Sequence, residues 1–386
     1  MKILFVVPSY KPAYIYGGTI VVIYMLAEQL AMQGHDISVY TTNANGHVDL
    51  EVATGVEMLV EGVKVTYFKR LTGDHTHVAP ALWKRLFSTV KSFDVVHIHS
   101  WWNPLNMMAA LICTMRGVKP VFSPHGMLST YIMNTNNRLP KQAVHQLIGK
   151  RLLRNSKLHV TSQAEWIEAK KIVPEWTGEV IPNLIQLSEK CYKRTKNEIF
   201  TIGFLSRIDP KKGLDFLIKA LSKVDFNYKL LVAGEGEENY VNELQNLALE
   251  NGNSESIEWV GWKNGEEKFE FLASLDLFAL TSHNENFAVV VVEALSVGTP
   301  ALITENVGIY QYVLDSDQGW ACELKVEAII QALNTLYLEK DKIKRINIES
   351  PARISDYYAQ NDLAQRYVDL YQSEKEQLVS KLPIHS

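Results

Sequence analysis

Short, continuously apolar stretches alternate with amphipathic ones twice along this chain, and that rhythm leaves few folds open to it. The opening run, Ile3-Leu4-Phe5-Val6-Val7, ends at Pro8 and reads as a strand buried on both faces, as parallel strands are. A loop containing Gly17-Gly18 follows. Residues 19–33 then place Val22, Met25, Leu26 and Leu30 at helical spacing, with Gly34 as the stop and a strand at 37–41. Strand, glycine loop, helix and strand form the unit from which doubly wound sheets are built.

Further strands are expected at 94–98, 120–123, 158–161 and 179–181. A second series follows at 200–205, 229–232, 257–260, 277–280 and 300–303. The polar stretch 188–198, with Lys190, Lys193, Arg194 and Lys196, separates the two and reads as a linker. The expectation is an α/β chain of two Rossmann-like domains, 1–190 and 198–360, with a tail 361–386 whose helix spans 361–376. A length of 386 residues suits two domains at about 100–200 residues each.

With 39 basic and 43 acidic side chains, the chain has no overall positive field for a nucleic-acid backbone, and none is expected as a partner. Cys113, Cys191 and Cys322 are scattered, lacking the spacing of a disulfide framework or zinc site, so a reducing cytoplasm is expected. The apolar opening run is far shorter than the ~20 residues that span a bilayer.

The strongest constellation runs from Ser282 to Pro300. A strand leads into a polar loop carrying Glu285, and a helix is expected from Phe287 to Val297, with Gly298 as its stop. Glu293 then lies about 12 Å along that helix from Glu285 at 1.5 Å per residue. Two carboxylates flanking a helix start, whose free N–H groups favour an anion, suit a ligand with hydroxyls at both ends and a diphosphate between. A nucleotide sugar has that shape; a solvated cap and helix face is the alternative.

The second constellation, Ser206-Arg207-Ile208-Asp209-Pro210-Lys211-Lys212-Gly213, closes the first strand of the second series. Arg207 and Lys212 can converge on one phosphate there, because ligands bind beyond the carboxyl ends of parallel strands, with solvated loop charges as the alternative. Ser123-Pro124-His125-Gly126-Met127 follows the strand expected at 120–123, and its histidine taken alone reads as a hydrogen-bonded structural residue.

Together these segments resemble the retaining glycosyltransferases of family 4, which have the GT-B fold of two facing Rossmann-like domains. Glu285 and Glu293 match that family's paired-glutamate motif, and Ser206-Arg207-Ile208 with Lys212-Gly213 its phosphate loop. Gly17-Gly18 matches its N-terminal glycine loop, Ile181-Pro182-Asn183 its Pro-Asn segment, and His125 the histidine brought to the reacting sugar. The chain departs from the pattern in having Asn286-Phe287-Ala288 where Gly-Phe-Gly is common, and Leu184 in place of a glycine.

The resemblance implies transfer of a hexosyl group from a nucleoside-diphosphate sugar to a hydroxyl on a glycan or lipid-linked acceptor, as in polysaccharide biosynthesis. The reaction would sit in the cleft between the domains, with the terminal helix crossing back to the first. It assigns His125 and Glu285 to catalysis. The donor phosphates fall to Arg207, Lys212, Gly17, Gly18 and the backbone at Phe287 and Ala288, and the ribose to Glu293. No essential metal or cofactor is expected, since the cations already serve the leaving phosphate. A nucleotide-sugar epimerase, a nicotinamide dehydrogenase and a non-catalytic nucleotide-sugar binder are the alternatives.

Other features read as structural. Asp315-Ser316-Asp317 spells a metal motif but falls in a polar turn. His97 and His99 share one strand face without a further ligand at metal spacing. Gly234-Glu235-Gly236 lacks the third glycine of a dinucleotide loop, where Asn239 stands, and Trp259 and Trp262 read as packing residues. The basic segment 138–157 sets Arg138, Lys141, Lys150, Arg151, Arg154 and Lys157 against Leu147, Ile148, Leu152 and Leu153. It reads as a solvated helix packing its apolar stripe, with peripheral contact at the inner membrane face as the alternative.

Overall fold

A computed structural model describes residues 1–134, 142–192 and 197–379. The chain divides into two compact units, Met1–Ile185 with Ala359–Ser386, and Gln186–Tyr358. Arg138 and Lys141 of the basic segment, and Lys193, Arg194 and Lys196 of the linker, lie outside the described residues.

The first unit is built on an eight-stranded sheet. Its strands are β1 Lys2–Val6, β2 Asp36–Thr42, β5 Glu57–Val60, β6 Val63–Phe68, β7 Val95–His99, β8 Val121–Ser123, β9 Lys157–Val160 and β10 Gly178–Val180. The order is β10-β9-β8-β7-β1-β2-β6-β5, parallel apart from the edge strand β5. A two-stranded hairpin, β3 Ala44–Asn45 and β4 Val48–Asp49, stands beside it. Central position explains why Ile3 to Val7 are fully buried.

The second unit holds a six-stranded parallel sheet ordered β13-β12-β11-β14-β15-β16. Here β11 is Phe200–Leu205, β12 Tyr228–Ala233, β13 Ile257–Trp259, β14 Leu277–Leu280, β15 Ala301–Thr304 and β16 Gly319–Cys322. The order reverses beside β11, between chain-adjacent β12 and distant β14, so the loops after β11 and β14 lie at a topological switch point.

Helix Gln360–Val379 belongs to the first unit. Leu363, Ala364, Tyr367, Val368 and Tyr371 recur at helical spacing and are all buried. Gln29 donates to Asn361 at 2.8 Å and Arg366 to the Val180 carbonyl at 2.8 Å.

Candidate functional site

Two loops at the switch point of the second sheet are stitched together by backbone and hydroxyl bonds. After β11, Asp209 caps the short turn Pro210–Lys212, accepting from the Lys211 N–H at 2.9 Å. Gly213 follows at φ +64°, and a Cβ there would stand 2.0 Å from the Thr281 carbonyl oxygen, so only glycine lets the two loops meet. Thr281 Oγ1 donates to the Gly213 carbonyl at 2.7 Å. Both the His283 N–H and Ser282 Oγ donate to the Lys211 carbonyl at 2.8 Å.

This stitching brings Lys212 and Glu285 together. Lys212 Nζ lies 2.7 Å from Glu285 Oε1, with Ser282 Oγ 3.1 Å from the same oxygen, and both charged side chains are mostly buried. Glu285 is fixed in turn by its backbone, whose N–H donates to Asn306 and whose carbonyl accepts from Gly308. Arg207 is exposed. Lys211, which sequence reasoning passed over, is half-buried, and burial lowers its pKa against the pull of Glu285.

The helix after Glu285 spans Val289–Ser296, two residues later in its start than expected. Ala288 is at φ +63°, a left-handed conformation that cannot lie in a helix, so Phe287 and Ala288 belong to the loop before the first turn. The Phe287 ring is buried, edge-on to Tyr358. Val291 N–H bonds to the Ala288 carbonyl, and the N–H groups before it have no partner within the helix. Glu293 is buried and forms an ion pair with Lys268 of helix Gly265–Ala273. Burial raises its carboxyl pKa, and Lys268 opposes that shift. Lys268 was missed because it enters from a separate helix.

In the first unit, Gly17 is at φ +74° ahead of helix Gly18–Met32, and open space surrounds the missing Cβ of both Gly17 and Gly18. His125 follows β8 at φ +51°, with Gly126 at φ +78°. His125 Nε2 lies 3.0 Å from His99 Nδ1, and burial, with the nearby His159, drives its pKa down to about 3. The imidazole is therefore neutral.

Behind it runs a buried chain of hydrogen bonds whose direction is fixed by one carbonyl. His159 Nε2 meets the Ile181 carbonyl at 2.9 Å and must donate. Its Nδ1 therefore accepts from Ser123 Oγ at 2.6 Å; Ser123 accepts from His97 Nε2 at 2.6 Å, and His97 Nδ1 from Tyr371 Oη at 2.8 Å. His97 and His99 do share a face, their rings 4.0 Å apart. Among the described residues no group of three or more His, Cys, Asp or Glu side chains is placed to hold a metal ion.

Asp317 is engaged by Lys342 and Arg345, and Asp315 accepts from Gln311. Gly234 and Gly236 serve close approach: a Cβ would stand 2.0 Å from the Ser206 oxygen and 2.1 Å from that of Ile208. Trp262 is 43% exposed and so packs only in part. One expectation needs correction. The described part of the basic segment, 142–157, is not one regular amphipathic α-helix, because a π turn, His145–Gly149, precedes helix Lys150–Arg154 and shifts the register. Leu152 and Leu153 are buried, but Leu147 and Ile148 are exposed beside Lys150 and Arg151, while Lys157 is buried and donates to Ser373. No helix among the described residues is long and apolar enough to cross a membrane.

The family model for glycosyl transferases group 1 matches residues 190–355, and that for glycosyltransferase family 4 matches 16–189. A phosphatidyl-myo-inositol mannosyltransferase of Propionibacterium freudenreichii is 28% identical over 308 residues, 75% of this chain and 74% of that one. Sucrose-phosphate synthase from Thermosynechococcus elongatus superposes with a TM-score of 0.74 at 14% identity, covering 97% of this chain and 99% of that one. Anabaena HepE, solved with UDP and with UDP-glucose, gives TM-scores of 0.73 and 0.70 at 20% identity, covering 97% of this chain and 100% of HepE. With two Rossmann-like sheets and both halves matched, the chain has the GT-B fold and belongs to the group 1 glycosyltransferases of family 4.

Proposed function

We propose that this protein is a retaining hexosyltransferase that takes its sugar from a nucleoside diphosphate and passes it to a hydroxyl of a glycan or lipid-linked acceptor. The observation that carries this reading is the Lys212–Glu285 pair at the switch point, beside a helix start, with Glu293 inside the same helix. The UDP and UDP-glucose bound by Anabaena HepE support a donor of that class.

Arg207, Lys212 and the backbone at Phe287 and Ala288 hold the donor diphosphate, and Gly17 and Gly18 admit a close backbone approach. As the bond from the anomeric carbon to the diphosphate breaks, charge grows on the leaving oxygen and these donors stabilise it. The acceptor oxygen bonds to the same face, its proton passing to the departing phosphate. Glu285 binds donor-sugar hydroxyls and favours positive charge at the anomeric carbon, Glu293 takes the ribose, and His125 contacts the sugar. No essential divalent ion is required, because the cations and N–H groups meet the leaving charge. Chelator should therefore leave turnover intact, and loss restored by manganese would reverse that reading.

Exposed Leu147 and Ile148 beside Lys150 and Arg151 support peripheral contact with an anionic membrane. Thermal denaturation with UDP, GDP, ADP and their sugars tests the donor class, since a ligand at 100 times its Kd adds about 2.7 kcal/mol. The anomeric configuration of the product, read by NMR, tests retention; an inverted product would overturn it.

A further inference from the structure

His125 adopts a backbone conformation that is uncommon for a residue with a side chain, and two polar groups from elsewhere in the chain hold it there. Consecutive left-handed residues, φ +51° and +78°, form the turn at His125-Gly126. The Gly126 N–H donates to Glu165 Oε1 at 2.6 Å. The other carboxylate oxygen, Oε2, accepts from the Thr161 N–H at 2.9 Å and from its hydroxyl at 3.1 Å. Glu165 is itself 7% exposed and sits in the first turn of helix Gln163–Ile172, where its N–H bonds to the capping Ser162 hydroxyl. One buried carboxylate thus joins the loop after β9 to the loop after β8.

The second group is His99. Its Nδ1 faces His125 Nε2, while its Nε2 is buried without a partner and its ring packs against Phe5, centroids 4.9 Å apart. A buried N–H without an acceptor is costlier than a bare lone pair against an apolar ring. The proton of His99 therefore belongs on Nδ1, where it donates to His125 Nε2, and a neutral His125 must carry its own proton on Nδ1.

We propose that Glu165 and His99 are positioning residues that hold His125 in one orientation and one tautomer, leaving its Nδ1–H as a hydrogen-bond donor toward an oxygen of the donor sugar. This rests on the reading of His125 as a sugar-contacting residue and makes it a donor rather than a base. Glu165→Gln keeps the shape but replaces one acceptor oxygen by an NH2 that faces another donor. Thr161→Val removes only a hydroxyl and leaves the Gly126 bond, so it serves as the control.

The test uses the full chain with 15N-labelled imidazoles, identifying the His125 signals by their loss in His125→Ala. Long-range proton–nitrogen spectra should show His125 protonated on Nδ1 in the wild type and in Thr161→Val, and a mixture of tautomers in Glu165→Gln. Protonation on Nε2 in the wild type, or an unchanged His125 signal in Glu165→Gln, would overturn the proposal. Turnover is followed in parallel as nucleoside-diphosphate release from UDP-glucose, GDP-mannose and ADP-glucose. Glu165→Gln should lower kcat about 10- to 100-fold with little change in KM. The same substitution should cost nothing further in a His125→Ala background. Equal losses in both backgrounds would reject positioning while keeping His125 in the reaction. An unchanged kcat in His125→Ala would instead reject the role of His125, and the spectra would still decide its orientation.

Discussion

Ala288 stands at φ +63° immediately before the helix that follows Glu285, a left-handed conformation that glycine adopts without a steric penalty. A Cβ in the left-handed region costs about 1 kcal/mol. Ala288→Gly should therefore raise the stability of unit Gln186–Tyr358 by about that amount in urea denaturation followed by CD. The Lys212–Glu285 ion pair leads to a second expectation. Glu285→Gln should lower the maximal rate strongly yet leave nucleoside-diphosphate affinity unchanged or higher, because it frees Lys212 from its acid. Glu293→Gln should weaken donor and product alike, since the ribose is held equally in ground and transition states. Calorimetry beside single-turnover rates checks both, and the opposite pattern would mean that the ligand runs the other way along the helix. Glu285, Glu293 and Lys212 were legible because each lies in a local motif. Lys268, Glu165 and His99 were not, since each acts on a residue from a distant element and no local spacing marks it.

The strands that sequence reasoning found are parallel ones, and most of them, though not the edge strand β10, are buried runs in which unbroken apolar sequence is the signal. It missed β5 and β6, whose hairpin turns at Glu61 and Gly62 with φ +47° and +81°. Both central residues at positive φ suit the twist of a two-residue hairpin, but Glu-Gly is a weaker marker than Asn-Gly or Asp-Gly. It also missed β16, a short parallel edge strand at Gly319–Cys322. The terminal helix was visible as an amphipathic stretch, yet its deepest anchor was not. Tyr371 closes the directed chain through His97, Ser123 and His159 to the Ile181 carbonyl. Tyr371→Phe leaves a buried lone pair on His97 unmet and should cost about 1–3 kcal/mol. Hydrogen exchange should rise first across 363–373; unchanged protection there would show that the hydroxyl contributes nothing.

At the scale of the molecule, the buried histidines fall on one side of the division at Gln186. Residues 186–358 contain only His283, whereas the first unit buries His77, His97, His99, His145 and His159. Burial lowers the pKa of each, to about 4 for His77 and His159. The unfolded chain takes up protons first as pH falls, so the stability of this unit is intact above about 6.5 and lost toward 4. The slope approaches about 1.4 kcal/mol per pH unit for each imidazole. Moving from pH 7.5 to 5 should therefore deprotect β7, β8 and β9 in hydrogen exchange before β11 and β12. The second unit is proposed to hold a nucleoside diphosphate through its cations, and calorimetric titration of UDP, GDP and ADP reads that binding. At least one should bind the wild type at one site, and both Arg207→Ala and Lys212→Ala should weaken it by about 1.5–3 kcal/mol. Failure of all three to bind, or affinity unchanged in both variants, would contradict the claim.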